Sequence, residues 1–259
     1  MSNPSIDLNI EGNVAVLTMN NPPANTWTQD TLTALKDTVT ELNANKNVYA
    51  LVIIGQGEKF FSAGADLNVF ASGDKGVAAT MSKVFGDAFE ALTNFRGVSI
   101  AAINGYAMGG GLEVALACDI RIAEEQAQMA LPEAKVGLLP CAGGTQNLAW
   151  LVGEGWAKRM ILCGERLKAD KAREIGLVEE VVGAGESLAA AMKLANQVGE
   201  QSPVAVTACK ELIQKGRTQP MAHALPLERE LFVQLFDTKD QKEGVNAFLE
   251  KRKANWVNG

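Results

Sequence analysis

Two short apolar runs limit what this chain can fold into more than any other feature. They are Tyr49-Ala50-Leu51-Val52-Ile53-Ile54 and Val98-Ser99-Ile100-Ala101-Ala102-Ile103. Each has the length of a strand, is almost free of polar residues, and runs into glycine, at Gly55 and at Asn104-Gly105. A strand with one wet face alternates apolar and polar residues. A continuous run signals cover on both faces, as in a parallel sheet flanked by helices. A helical stretch over residues 78–95 lies between the two runs, so the class expected is α/β.

The flanking segments fit that frame. Ile6, Leu8 and Ile10 alternate with polar residues, Glu11-Gly12-Asn13 turns the chain, and Val14, Val16 and Thr18 alternate again. That pattern predicts a hairpin with one buried face. Asn21-Pro22-Pro23 breaks it, and Thr28 is placed to cap a helix whose Leu32, Leu35, Val39 and Leu42 recur at helical spacing. Gly109-Gly110-Gly111 leads into a helical stretch, Leu112 to Ala117, and Ile120 to Ala123 reads as a strand. Strands and helices therefore alternate to about residue 185 in loosely similar strand–strand–helix units. From about Leu188 every signal is helical, with Ser202-Pro203 opening one helix and Leu225-Pro226 and Thr238-Lys239-Asp240 punctuating later ones. This divides the chain into a core over 1–200 and a helical tail over 201–259. The tail's Leu231, Phe232, Leu235, Phe236 and Phe248 exceed what a lone helix pair can bury, which points to subunit association.

Bulk properties exclude several function classes. At 259 residues and 47% hydrophobic the chain can bury a large core. A net charge of −6 argues against a nucleic-acid partner, because phosphate neutralisation needs a concentrated basic surface. The four cysteines, Cys118, Cys141, Cys163 and Cys209, are widely spaced, so neither a zinc site nor a disulfide framework is indicated. No apolar run approaches the roughly 20 residues needed to span a bilayer, and the first residues carry no leader pattern. A cytoplasmic protein is the expectation, with no metal and no membrane partner.

The chemistry-bearing residues are few. Glu113 follows the glycine run and is embedded in Leu112-Glu113-Val114-Ala115-Leu116-Ala117, where a charge needs a reason. Glu133 lies in Leu131-Pro132-Glu133, just before Leu138-Leu139-Pro140-Cys141-Ala142-Gly143-Gly144. Two carboxyls facing one cavity push each other's ionisation apart and supply one acid and one base near neutral pH. The glycine run lacks the Gly-Lys-Ser/Thr ending of a phosphate loop. It serves either tight strand-to-helix packing or close approach of a ligand to a helix N-terminus. Ala63-Gly64-Ala65-Asp66 carries the same two readings. The single histidine, His223, sits in the tail and fits no triad or metal cluster, and Cys141 has no evident partner base.

Taken together, Gly57 to Leu67, Ala102 to Glu113, Leu131-Pro132-Glu133 through Gln146, and Lys242-Glu243-Gly244 with Phe248 to Lys253 closely resemble the crotonase superfamily. Within it they resemble the enoyl-CoA hydratases. The resemblance spans essentially the whole chain. It implies a spiral of ββα turns with a C-terminal helical trimerisation region, assembled as a homotrimer or a dimer of trimers. It implies an acyl-CoA thioester as substrate, with coenzyme A carried by that substrate and no separate cofactor. The N–H groups of Ala65 and Gly110 would form an oxyanion hole, and Glu113 and Glu133 would be the two catalytic acids. Lys59, Ala63, Asp66, Phe70, Cys141, Phe232 and Lys251 would contact substrate, Lys251 reaching the CoA phosphates from a neighbouring subunit. Cys141 stands where hydratases usually have glycine and is expected to crowd the catalytic end. Trp27 is expected to alter the CoA or acyl surface. The implied reaction is hydration of a 2-enoyl-CoA; the nearest rival is a 3,2-enoyl-CoA isomerase, and a non-catalytic binding paralogue is a distant third.

Overall fold

The structure, a computed structural model, describes residues 6–259. Of the segment read for a leader, residues 1–7, residues 1–5 lie outside them. The hairpin forms from β1 (Ile6–Glu11) and β2 (Val14–Met19), followed by α1 (Gln29–Ala44). Thr28 caps α1 in a capping box: Thr31 N–H donates to its Oγ1 while its own N–H donates to Thr31 Oγ1.

Three turns of one pattern follow. The first is β3 (Ala50–Gly55), β4 (Phe60–Ser62), a short 3-10 turn Leu67–Phe70, and α2 (Lys75–Thr93). The second is β5 (Val98–Ile103), β6 (Tyr106–Met108) and α3 (Gly110–Ala117). The third is β7 (Ile120–Glu124), β8 (Gln128–Ala130), the 3-10 turn Glu133–Val136 and α4 (Gly144–Leu162). Then come β9 (Leu167–Lys168), α5 (Ala169–Glu174), β10 (Glu180–Val182) and α6 (Ser187–Gly199). The first strand of each turn joins a six-stranded sheet ordered β1-β2-β3-β5-β7-β10, and the second joins a four-stranded sheet ordered β4-β6-β8-β9. Apart from the β1–β2 and β8–β9 pairs, all pairings are parallel. Stacking successive turns in this way gives the ββα spiral.

The two apolar runs are the middle of the large sheet, and each strand feeds two cores. Leu51, Ile53, Ala101 and Ile103 pack with α1, α2 and α3, while Ala50, Val52, Ile100 and Ala102 pack beneath Ala191 and Ala195 of α6. Cover on both faces is why their sequence does not alternate.

The chain ends in α7 (Pro203–Gly216), α8 (Met221–Gln234) and α9 (Lys239–Leu249). Ser202 caps α7 and Thr238 caps α9. Two expectations need correction. Pro226 does not punctuate the tail but lies inside α8, where it removes one backbone donor without ending the helix. The first hairpin strand is not buried along one face either. Ile6 is covered, but Leu8 and Ile10 are 43% and 44% exposed on β1, which is a sheet edge.

Candidate active site

The second strand of each turn delivers its following loop to one place, and the candidate residues meet there. Ala63 and Ala65 follow β4, Gly109 and Gly110 follow β6, and Glu133 follows β8; together with Glu113 of α3 they line a single cleft of ≈ 340 Å³. Phe70 and Cys141 complete its apolar wall. The glycine run packs a crowded corner at one position and borders the cleft at two others. A Cβ on Gly111 would fall 2.1 Å from Ser62 O, so Gly111 is a packing glycine, whereas Gly109 and Gly110 face the cleft.

Gly64 sets the upstream half. Its φ is +88°, and a Cβ there would lie 2.5 Å from Met108 O and 3.1 Å from Gly110 N. The left-handed backbone alone costs a side-chain-bearing residue about 1–2 kcal/mol, and the clash adds to it. Gly64→Ala is therefore expected to lower the melting temperature and also to spread Ala65 from Gly110, cutting turnover. Thermal denaturation beside a rate assay checks both, and an unchanged melting temperature would contradict the argument.

The two carboxyls are held differently. Glu113 sits in the first turn of α3, a helix buried along its whole length, and is 2% exposed. Its Oε1 accepts from Ala142 N–H at 2.8 Å and Gly144 N–H at 2.9 Å. Burial raises its pKa, and these backbone donors pull it back. Oε1 is anchored twice, and among the described residues Oε2 accepts no hydrogen bond that would keep it from taking a proton. Glu133 has no such support. Both its carboxyl oxygens are buried and have no hydrogen-bond partner among the described residues. Burial first, and then the charge of Glu113, push its pKa up to about 7. One cleft thus holds a carboxyl whose upward shift is partly offset by backbone donors and a second carboxyl, without such donors, inclined to keep its proton.

Two backbone donors complete the chemistry. Among the described residues, Ala65 N–H and Gly110 N–H donate to no backbone carbonyl, while their neighbours Ala63, Asp66, Leu112 and Glu113 all do. Gly110 also opens α3, where unpaired N–H groups favour negative charge. The setting works against a thiolate at Cys141. Enclosure and, next, the two carboxyls push its thiol up to about 11, far from the thiolate.

Other sequence candidates lie elsewhere. Asp66 caps the 3-10 turn by accepting from Asn68 N–H, and Lys59 lies over the Phe60 ring. Phe232 is on α8, 62% exposed and edge-on to Phe236; Lys251 follows α9 with a φ of 55°. Neither lines this chain's own cleft. Trp27 is not at a CoA or acyl surface: it is 2% exposed in the core, and His223 is exposed on α8. Sequence reasoning missed Phe85, Met108, Lys135 and Arg166, which do line the cleft. The helical stripe Met81–Phe85–Phe89 marks a buried face of α2, but no local signal tells what that face borders.

Comparison with known proteins gives one consistent result. The family described as Enoyl-CoA hydratase/isomerase matches residues 9–259. The chain is 40% identical to the short-chain-enoyl-CoA hydratase of Clostridium acetobutylicum, with 96% of each chain covered. It is 40% identical to the crotonyl-CoA hydratase of Syntrophomonas wolfei, with 99% of each covered. Among solved structures, DspI of Pseudomonas aeruginosa is 62% identical, with a TM-score of 0.97 over 99% of this chain and 98% of that one.

Proposed function

We propose, starting from the fact that this chain belongs to the enoyl-CoA hydratase/isomerase family, that its cleft adds water across the 2,3-double bond of a 2-enoyl-CoA thioester. The chain is an enzyme, a hydro-lyase of the enoyl-CoA hydratase kind. The observation that carries the mechanism is the unequal pair of carboxyls facing two unpaired N–H groups.

In this mechanism the thioester oxygen takes hydrogen bonds from Ala65 N–H and Gly110 N–H. Water attacks C3, and Glu113 Oε2 removes its proton. The electron pair of the double bond moves towards C1, so enolate charge collects on the thioester oxygen, where the two donors hold it. Loss of one such donor costs about 100- to 1,000-fold in rate. Glu133 then gives its proton to C2. Glu113 ends with the proton taken from water and Glu133 ends ionised, so one net proton transfer from Glu113 to Glu133 resets the pair. The chain's own groups supply every step, and the proposal calls for no metal or redox cofactor. The isomerase reading needs only one proton shuttle; two carboxyls in one cleft, one held by backbone donors and one not, favour hydration.

The remaining contacts belong to the same proposal. Ala63, Phe70 and Cys141 would bound the acyl group. Phe232 and Lys251, too far out to serve their own cleft, would serve a neighbour's in a homotrimer or a dimer of trimers. The exposed Phe232, Val233, Phe236, Phe248 and Leu249 of α8 and α9 supply apolar area for such an assembly. Among the described residues no helix is long and apolar enough to cross a membrane; a cytoplasmic location is proposed with the rest.

Loss of enoyl-thioester absorbance on mixing the protein with crotonyl-CoA tests the reading. Turnover is expected with the four-carbon substrate. If neither crotonyl-CoA nor longer 2-enoyl-CoA thioesters lose absorbance, the hydratase reading is wrong for this chain.

A further inference from the structure

Trp27 flanks both proposed oxyanion donors, by main chain beside Ala65 and by side chain beside Gly110. Its N–H donates to Gly64 O at 2.8 Å and its carbonyl accepts from Asp66 N–H at 3.0 Å, a single parallel bridge centred on Ala65. In such a bridge the bracketed residue's own polar groups point to the opposite side. Ala65 N–H is thereby turned away from Trp27.

The indole meets the other donor. A Cβ on Gly110 would sit 3.4 Å from Trp27 Cδ1 and 3.0 Å from Phe85 Cε1, so the two rings back Gly110 closely. Trp27 is edge-on to Phe89 at 5.7 Å, and Phe89 is edge-on to Phe85 at 5.6 Å, which locks the three rings into one stack. The indole Nε1–H is buried and has no hydrogen-bond partner among the described residues. What the ring supplies here, it supplies by shape.

We infer that Trp27 is a positioning residue of the oxyanion hole, its main chain aiming Ala65 N–H and its indole fixing Gly110 N–H at the matching distance. The inference rests on the reading of Ala65 and Gly110 as the donors. The two belong to different turns of the spiral, so their spacing is set by what lies between them. That spacing matters because donors act only within about 2.7–3.1 Å of the developing charge, and a displacement of about 1 Å costs roughly 100-fold.

Three variants separate positioning from packing. Trp27→Leu removes the ring, Trp27→Phe keeps an aromatic floor, and Leu92→Ala damages the same core away from the cleft, Leu92 being fully buried on α2. Turnover is measured with crotonyl-CoA. Donor strength is read separately, from the infrared carbonyl stretch of bound butyryl-CoA labelled with carbon-13 at C1, which cannot be hydrated. Trp27→Leu is expected to lower kcat about 10- to 100-fold with little change in KM. It should also lose most of the carbonyl shift seen on binding to the wild type. Trp27→Phe should keep both, and Leu92→Ala should lower only the melting temperature. If Trp27→Leu is insoluble, Trp27→Met gives the same readout with more volume retained. Wild-type kcat and carbonyl stretch in Trp27→Leu, or in Trp27→Met where it replaces it, overturn the inference, as does equal loss in Leu92→Ala. A wild type with no carbonyl shift removes the oxyanion reading itself, and this inference with it.

Discussion

Glu113→Gln loses about 100- to 10,000-fold in the rate of crotonyl-CoA hydration, the range general-base catalysis supplies. The substitution isolates the chemistry because the amide oxygen can still accept from Ala142 N–H and Gly144 N–H, which Glu113 Oε1 holds at 2.8 and 2.9 Å. The loop that carries Cys141 therefore stays in place, and the melting temperature should remain near the wild type. Glu113→Ala differs in kind. It leaves those two buried donors without an acceptor, at about 1–3 kcal/mol each, so it should lose stability as well as rate. The same pair of variants separates hydration from the isomerase alternative, since movement of a double bond from C3 to C2 needs only one shuttling carboxyl. Conversion of a 3-enoyl-CoA should then survive in Glu113→Gln while hydration collapses. A Gln variant that hydrates within about tenfold of the wild type would remove Glu113 from the base role.

The α/β class was legible because its strongest signal is local. A strand buried on both faces writes itself as an apolar run, and Ala50–Ile54 and Val98–Ile103 need no partner to be recognised. Helix starts were equally local: Thr28, Ser202 and Thr238 accept from their own helices. The site was legible only in part. Glu113 and Ala65 stood out through their neighbours, but Phe85 and Arg166 reach the cleft from α2 and from the approach to β9. Nothing at those positions tells which cavity they border, because that is fixed by how the turns of the spiral stack. Trp27 failed in the other direction. Its position beside a proline-rich turn suggested a surface, while the bridge to Ala65 draws it inside. Leu8 and Ile10 show the same limit, since alternation records that a strand pairs but not whether anything covers it.

Glu133 should make rate and stability fall together as pH rises through about 7. Its carboxyl, lifted from an ordinary 4.5 to about 7 by burial and by the charge of Glu113, gives a proton to C2 only while it still holds one. The hydration rate should therefore fall as pH rises through about 7, and fall again at low pH once Glu113 takes up a proton. The two apparent values belong to the coupled pair rather than to either residue. Between 4.5 and about 7 the folded state binds this proton and the unfolded state does not. The stability Glu133 contributes is thus fully present below its unfolded pKa and is lost as pH rises through the folded one. Glu133→Gln removes that dependence because an amide never ionises. It should cost about 100- to 10,000-fold in hydration, yet melt above the wild type at about pH 8 and no higher at about pH 4. Comparing the two proteins at each pH cancels the titrating groups that do not couple to Glu133. A melting-temperature difference that stays constant from about pH 4 to 8 would show that Glu133 is not held protonated by the fold, and the acid in the mechanism would have to be sought elsewhere in the cleft.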